Sequence, residues 1–403
     1  MAARGGKGAR GTDVLRVESG ALGPVPKCTL DIRPLTAFVG PQGTGKSLVA
    51  QVLYVFEELP FLIGYAASER GSGRKTDEVL FRSLLDRMRS GERRFATFAP
   101  NNAHVVWRRS SREDWPEGVR EELEFRAYRA TGAIHVRGSS ATSLSRLRRA
   151  ERALHHAVFF PTERIIYPQI RSVMQFGSLP LTYALFDHWV EEHGGRLPEV
   201  DDPEVLRACE VIERLGRGAL GGRPRQWGTR WMWDFETAGR KDSIDLDLAS
   251  SGQKANWTLP YLARSLLALR GTGDIAEDLT FFIEEPEIHL HPKAQREMVE
   301  ILALLVNRGF RAVVTTHSLT VLYELNNLLQ ASRVRAQVGD GLPEPDFRLD
   351  PSKVSVYAMQ AGEAPRQLVD RESAFIDERE LGWVNEDLAE ELNKIGTVLT
   401  KTN

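Results

Sequence analysis

Cysteine is scarce in this chain of 403 residues, which contains Cys28 and Cys209 and no other. Two cysteines exclude a disulfide framework and favour a reducing compartment, so we expect the protein to be cytoplasmic. Long apolar runs are lacking too, because no stretch approaches the roughly 18 consecutive apolar residues of a membrane span. We therefore expect no membrane partner. Residues 1–11 have no apolar core and predict a flexible tail, not a signal peptide.

A strong net charge is also lacking, since the formal charge is −2 at pH 7. Locally the balance differs: residues 70–152 contain 19 Lys or Arg against 11 Asp or Glu, whereas residues 370–403 contain 9 acidic against 4 basic residues. Arginine clusters in the basic region could neutralise nucleic-acid phosphates or form a solvated surface, and the sequence leaves both open. The clusters are Arg87, Arg89, Arg93 and Arg94, and Arg146, Arg148, Arg149 and Arg152.

The spacing of apolar residues predicts a mixed α/β protein. In the last third, helices alternate with continuous apolar strands, which favours a parallel sheet covered on both faces. The elements predicted there are helix 253–270 with a kink at Pro260, strand 279–284, helix 293–308, strand 311–316, helix 318–329, strand 353–358 and helix 380–395.

The first two thirds predict a less regular order. The elements predicted there are two strands within 13–39, helices 46–58 and 77–89, an antiparallel group at 104–108, 123–129 and 133–136, an arginine-rich helix 143–156, strand 157–160, helices 180–193 and 203–216, a loop at 216–225, and strands at 229–235 and 243–248. We therefore predict a core from residues 12–75 and 240–403, split by an insertion at 76–239. Within the insertion we place a β subdomain at 100–140 and a helical lobe at 141–225.

Residues 40–47, here called the phosphate loop, fit the pattern G-x-x-x-x-G-K-[ST] between an apolar strand and a helix. Glycines let backbone N–H groups turn towards phosphate oxygens, and the helix N-terminus adds the positive end of its dipole. Lys46 is predicted to reach the β- and γ-phosphates, and Ser47 to ligate Mg²⁺. A glycine-rich turn is the alternative. The residues assigned to nucleotide binding are Gly40, Pro41, Gln42, Gly43, Thr44, Gly45, Lys46 and Ser47.

Polar side chains end two of the predicted strands. We assign Glu284 to a magnesium ion and Glu285 to the attacking water, because successive strand residues face opposite ways and suit different tasks. His317 follows strand 311–316, at the end where parallel sheets bind ligands, and is predicted to contact the γ-phosphate. An acidic helix cap and a structural histidine are the alternatives. Lys46, Glu285 and His317 are the predicted catalytic residues.

Residues 249–253, here called the signature segment, open a predicted helix. Two hydroxyls, from Ser250 and Ser251, and the free amides around Gly252 could bind an anion at the helix N-terminus. An ordinary N-cap explains the same residues.

In this order the segments resemble an ABC-type P-loop ATPase of the SMC, RecF and OLD-like group. The resemblance rests on the phosphate loop, on Leu-Ala-Ser-Ser-Gly-Gln at 248–253, on Glu-Glu-Pro-Glu-Ile-His-Leu-His-Pro at 284–292 and on Thr-Thr-His-Ser at 315–318. Phe-Pro-Thr-Glu-Arg at 160–164 is similar to a Pro-x-Glu-Arg element of OLD-like ATPases. The resemblance covers both ends of the chain and hardly touches residues 70–155.

The resemblance implies that ATP and Mg²⁺ are bound and that the signature residues contact a γ-phosphate held by a partner subunit. Ser250, Ser251 and Gly252 would then act in trans, in a homodimer or higher homo-oligomer. Residues 287–291, here called the crossing loop, would run between the two sites. His289 and His291 could be read as a metal pair, but no third ligand is evident.

The sequence departs from the family pattern at several points. Gln42 stands where Asn is common, and Glu284 where Asp is common. Two candidates remain for the glutamine loop of such ATPases: Gln169 and the segment 162–164. The acidic cluster of an OLD nuclease domain is not found after His317, so the resemblance implies the ATPase part alone.

Three functions follow from the resemblance. The first is an ATPase whose dimer controls a separate effector or toxin partner, a setting typical of bacterial anti-phage defence. The alternative is a RecF- or SMC-like ATPase of DNA repair or chromosome maintenance, which would grip DNA through the arginine-rich insertion. A transporter motor is disfavoured by the long separation of Lys46 and Ser250 and by the lack of a membrane-coupling segment.

Overall fold

The computed structural model describes residues 13–68, 103–108, 122–128, 133–138, 155–167, 181–334 except 196, 199, 229, 271, 273 and 274, and then 341–377, 391 and 394. Several predictions lie outside these residues: the helix at 77–89, most of the helices at 143–156 and 380–395, both arginine clusters, and Gln169. Within the described part of the chain, no helix combines the length and the apolar composition that crossing a membrane requires.

The described strands and helices are numbered in chain order. The strands are β1 (Asp13–Ser19), β2 (Cys28–Ile32), β3 (Leu35–Val39), β4 (His104–Arg108), β5 (Glu122–Tyr128), β6 (Ala133–Gly138), β7 (His155–Phe160), β8 (Arg223–Trp227), β9 (Arg230–Thr237), β10 (Arg240–Asp245), β11 (Ile275–Glu284), β12 (Arg311–Thr316), β13 (Val354–Ala358), β14 (Arg366–Gln367), β15 (Val369–Asp370) and β16 (Phe375–Ile376). The helices are α1 (Lys46–Ser68), α2 (Leu181–His193), α3 (Pro203–Leu220), α4 (Ser251–Asn256), α5 (Thr258–Leu269), α6 (Pro292–Asn307) and α7 (Leu319–Ala331).

A mostly parallel sheet of order β14–β13–β3–β12–β11–β7 carries the predicted site. All neighbouring pairs in it are parallel except β13 with the short β14. The fold is therefore α/β with a parallel sheet, as the sequence predicts. Because the strands run the same way, the carboxyl ends of β3, β7, β11 and β12 lie along one edge.

Both faces of this sheet are covered. Leu35, Ala37 and Val39 of β3 belong to one buried core, which also includes apolar residues of α3, α5, α6 and α7. Phe38 belongs to the opposite core, together with apolar residues of α1. The strand therefore alternates between two apolar layers, which explains why its sequence is apolar throughout.

A second sheet is antiparallel, with the order β2–β1–β4–β5–β6. The predicted antiparallel group forms β4, β5 and β6, while β1 and β2 join it from the chain start. β7 lies within the range predicted as an insertion, and it pairs with β11 in the parallel sheet. Residues 155 and 156 are strand in the structure, so the helix predicted at 143–156 is wrong at its end. The division into a core and an insertion at 76–239 stays a prediction.

Three local predictions are corrected by the structure. The predicted loop at 216–225 is wrong, because α3 continues to Leu220, ends at Gly221 with φ +68°, and β8 starts at Arg223. The helix predicted at 46–58 continues through Pro60 to Ser68. The predicted helix at 253–270 is divided at Trp257 into α4 and α5, since Pro260 has no N–H for the carbonyl of Asn256.

Candidate functional site

The phosphate loop connects the carboxyl end of β3 to α1. Gly40, Gly43 and Gly45 have φ values of +143°, +76° and +93°, a region that other residues rarely adopt. A side chain at Gly40 would also clash with the backbone oxygen of Met359, next to the end of β13. The loop can adopt this backbone path because glycine occupies the three positions with positive φ.

Lys46 begins α1 and points back into this loop. Its Nζ donates hydrogen bonds to the carbonyls of Gly40 at 2.8 Å and Pro41 at 2.6 Å. Burial lowers the pKa of Lys46 to about 8, although the nearby Glu285 and Glu287 oppose this shift. An ammonium group held by two loop carbonyls suits a bound triphosphate, because the negative phosphates would stabilise the positive charge that burial disfavours.

Glu284, the last residue of β11, lies against the phosphate loop. Its carboxylate accepts hydrogen bonds from Nε2 of Gln51 at 3.2 Å and from the backbone N–H and the hydroxyl of Thr162 at 3.2 Å each, and the Ser47 side chain is near enough to lower its pKa. Burial raises its pKa, and the hydrogen bonds from Thr162 and Ser47 oppose this shift. A buried carboxylate beside a hydroxyl is a donor set that fits Mg²⁺, which prefers oxygen ligands.

Glu285 follows at the start of a turn and has a left-handed backbone with φ +46°. Its N–H donates to the carbonyl of Thr315 at 2.9 Å, which continues the pairing of β11 with β12. Its Oε1 lies 3.4 Å from Nε2 of His317, and both side chains are partly exposed. The structure therefore brings two predicted catalytic side chains, from neighbouring strand ends, into contact.

The crossing loop is fixed to the end of β12 by Glu287. Its Oε1 accepts hydrogen bonds from the Thr316 hydroxyl at 2.6 Å and from the backbone N–H of His317 at 2.8 Å. Oε2 of Glu287 is buried, and no described residue is its hydrogen-bond partner. The carboxylate that accepts from the backbone of His317 thus has one buried oxygen without a hydrogen bond among the described residues.

The signature segment forms a complete N-terminal cap of α4. The Ser250 hydroxyl accepts from the N–H of Gln253 at 3.3 Å, and the N–H of Ser250 donates to Oε1 of Gln253 at 2.9 Å. The N-cap alternative is therefore confirmed, while binding of a phosphate stays a prediction. Ser250 and Ser251 are exposed, and among the described residues no hydrogen bond joins this segment to the phosphate loop.

Arg164 is a site residue whose role the sequence did not reveal. It lies in the short turn of residues 162–166 after β7, is 1% exposed, and donates hydrogen bonds to the carbonyls of Glu284 and Glu285. The signal in the sequence is the segment Pro-Thr-Glu-Arg, which resembles the Pro-x-Glu-Arg element of OLD-like ATPases and competes for the glutamine loop, but neither reading predicts what Arg164 contacts. Thr162 of that segment contacts Glu284, whereas its competitor Gln169 is not among the described residues.

One of the two histidines of the crossing loop has a hydrogen-bonding role in the fold. Nδ1 of His291 accepts from the N–H of Lys293 at 3.3 Å and caps α6, and His289 has φ +57°. Across the described residues, no group of three or more His, Cys, Asp or Glu side chains could hold a metal ion by itself. A magnesium ion at Ser47 and Glu284 would consequently need oxygen ligands from a nucleotide and water.

A protein-family model matches part of this chain. Residues 224–322 match the model of a family described as the AAA ATPase domain. The match spans the signature segment, both carboxylates and His317, and the phosphate loop lies outside it. Together the family match and the geometry support a P-loop ATPase. No curated protein matches the chain in sequence.

Several solved structures are similar to this chain. One is an SMC head bound to the C-winged helix domain of ScpA, at 12% identity and a TM-score of 0.46, with 89% of this chain and 96% of that chain covered. A second is the SMC head domain from Thermotoga maritima, at 14% identity and a TM-score of 0.41, covering 89% and 99%. A third is a dimeric cassette of a bacterial ABC transporter, at 12% identity and a TM-score of 0.34, covering 88% and 97%.

Proposed function

We propose that the chain is an ABC-type ATPase that hydrolyses ATP to ADP and phosphate. The observation that supports this most strongly is the 3.4 Å contact of Glu285 with His317 at neighbouring strand ends, beside the buried Glu284 carboxylate and the phosphate loop. The ends of β11 and β12 and the phosphate loop thereby present the groups that phosphoryl transfer to water requires: a cation site, a base and a phosphate contact.

Each residue has a separate task in this proposal. Lys46 and the loop amides bind the β- and γ-phosphates, while Ser47 and Glu284 hold Mg²⁺, which neutralises phosphate charge when bound. Glu285 orients the attacking water and accepts its proton. His317 contacts the γ-phosphate and, through its 3.4 Å contact with Glu285, keeps that carboxylate directed at the water.

A second copy of the chain completes the site in this proposal. The exposed Ser250 and Ser251 have no hydrogen bond to the phosphate loop of their own chain among the described residues, so they are free to face another. ATP then stabilises a closed dimer through contacts of the signature segment with the γ-phosphate, and hydrolysis removes those contacts. Assembly beyond a dimer is compatible with the same interface.

The proposed output of this cycle is control of a separate effector protein. A dimer that closes with ATP and opens after hydrolysis changes shape in each cycle, and a partner that binds one state responds to it. The sequence resemblance to stand-alone OLD-like ATPases supports a role in anti-phage defence. DNA contact through the arginine clusters is the competing role, and both clusters lie outside the described residues.

The variant Glu285→Gln tests the proposed function. Glutamine keeps the size of the side chain and removes the base, so we expect ATP binding to persist, turnover to fall about 100-fold or more, and ATP-bound dimers to accumulate. Sedimentation with and without Mg-ATP measures the dimer, and phosphate release measures turnover.

Glu277→Gln is the matched control, because Glu277 is exposed on the same strand, away from its carboxyl end. It should behave as the unmodified protein does. Normal turnover in Glu285→Gln would disprove the role of Glu285, and its failure to form dimers with ATP would disprove the trans-acting signature segment.

A further inference from the structure

Arg164 is a buried cation fixed to the catalytic end of β11. Its Nη1 donates to the carbonyls of Glu284 at 2.6 Å and Pro161 at 3.0 Å, and its Nη2 donates to the carbonyl of Glu285 at 2.7 Å. The backbone of Glu285 has φ +46°, a conformation that is strained for a residue with a side chain. The guanidinium therefore holds in place the peptide groups that aim this carboxylate.

The same guanidinium is also fixed to α4, the helix of the signature segment. Its Nε donates to the carbonyl of Ala255 at 2.7 Å, and its Nη2 donates to Oδ1 of Asn256 at 3.1 Å. Burial lowers the pKa of Arg164 to about 10, and four carboxylates around it oppose this shift, so it is protonated at neutral pH. One rigid charged group thus joins the backbone of Glu285 to α4. In the proposed dimer, α4 contacts the ATP that is bound by the partner chain.

Asn256 extends this connection into the signature segment and the crossing loop. It is 1% exposed, and its Nδ2 donates to the carbonyls of Gly252 at 3.1 Å and Ile288 at 2.8 Å. Gly252 lies so close to the crossing loop that a Cβ there would be 2.6 Å from the carbonyl oxygen of His289. The signature segment consequently cannot move relative to Glu285 without breaking hydrogen bonds in a buried site.

We propose that Arg164 and Asn256 form a positioning link between the two ATP sites of the dimer. The link rests on the proposed function, because it needs a signature segment that acts on a second copy of the chain. Within one chain it ties the backbone of Glu285, which serves the chain's own ATP, to Gly252, which serves the partner's ATP. A change at one site thereby alters the geometry of the other, and hydrolysis is cooperative in ATP.

If Arg164 only stabilised the fold, its loss would lower thermal stability without changing the cooperativity of ATP hydrolysis. Arg311 provides the comparison, since it is a partly buried arginine, at the start of β12, and pairs with the buried Asp13 at 2.7 Å. Its partners lie in β1 and β2, away from α4. Loss of either arginine should lower the midpoint of thermal unfolding, but only loss of the link should alter cooperativity.

The first experiment compares Asn256→Ala and Arg164→Lys with the control Arg311→Lys. We expect each link variant to weaken ATP-dependent dimerisation about tenfold, the usual effect of losing a buried hydrogen bond to a charged group. The Hill coefficient for ATP hydrolysis should fall towards one in both link variants, while Mg-ATP binding to the dilute Asn256→Ala monomer changes less than about threefold. Arg311→Lys should leave all three quantities unchanged. Asn256→Ser replaces Asn256→Ala if the alanine variant does not fold.

The second experiment uses dimers of two differently tagged chains, in which Glu285→Gln silences one site. When Asn256→Ala is in the chain that also has Glu285→Gln, the active site receives the altered signature segment. When Asn256→Ala is in the other chain, the active site receives an intact one. We expect turnover about tenfold lower in the first arrangement, because the link acts on the partner's ATP.

Equal turnover in the two arrangements, or a Hill coefficient in Asn256→Ala that matches the unmodified protein, would overturn the link alone. A lack of ATP-dependent dimers in both the unmodified protein and Glu285→Gln would overturn the proposed function, and the link with it. The two failures are therefore distinct.

Discussion

At the scale of single residues, the site depends on charges removed from water. Lys46 is buried, and its pKa is lowered to about 8 because burial disfavours the ammonium form. A bound triphosphate raises that pKa again, since an opposite charge favours the protonated form. Binding of ATP above pH 8 must therefore be accompanied by uptake of a proton.

The affinity for Mg-ATP should consequently fall as the pH rises. Below pH 8 Lys46 is already charged and the affinity is constant, whereas above pH 8 the affinity should decrease by up to about tenfold per pH unit. Calorimetric titrations at pH 7 and pH 9, in buffers of different ionisation enthalpy, measure both the affinity and the proton uptake. An unchanged affinity with no proton uptake at pH 9 would show that Lys46 does not titrate on binding.

The roles of single residues were also the hardest feature to predict from the sequence. The motif around the phosphate loop names Lys46 and Ser47 directly, because glycines with positive φ are a local requirement. By contrast, four of the five hydrogen bonds of Arg164 join it to groups that are more than 90 residues away in the chain. No local pattern encodes such contacts, so the role of Arg164 was missed.

At the scale of elements, strong apolar periodicity predicted helices and strands well. The points where helices end were predicted poorly. The strand predicted at 311–316 is confirmed as β12, and helix 293–308 as α6 within one residue at each end. The loop predicted at 216–225 was wrong, because glycines at 216, 218, 221 and 222 suggested irregular structure. Two of them lie inside α3, where Gly216 faces Pro260 and leaves no space for a Cβ.

A small residue is equally required where α4 meets the crossing loop. A methyl group at Gly252 would lie 2.6 Å from the carbonyl oxygen of His289, so Gly252→Ala must separate the two elements, at a cost of about 1–3 kcal/mol. We expect the variant to bind Mg-ATP normally and to lose ATP-dependent dimerisation and turnover. Binding isotherms and sedimentation measure the two effects separately.

Gly218→Ala is the matched control on α3, where the added methyl group would meet the flexible carboxylate of Glu297 at 3.0 Å. Its dimerisation should be unchanged. If Gly252→Ala dimerises with ATP as the unmodified protein does, the contact of α4 with the crossing loop has no part in the interface.

At the scale of the whole molecule, the parallel sheet gathers segments that are far apart in the chain. β3, β12, β11 and β7 are adjacent, so the phosphate loop, His317, the two carboxylates and Thr162 meet at one edge. The order of motifs along the chain predicted this edge. The pairing of β7 with β11 was not predicted, because the strand predicted at 157–160 was placed in the insertion at 76–239.

The central claim is that this edge binds Mg-ATP through the phosphate loop. Calorimetric titration of Mg-ATP into the unmodified protein and into Lys46→Ala tests it most directly, with thermal unfolding to show that the variant is folded. We predict saturable binding with one ATP per chain in the unmodified protein and none in Lys46→Ala. Equal affinity in the two proteins, or no binding by the unmodified protein at millimolar Mg-ATP, would contradict the account.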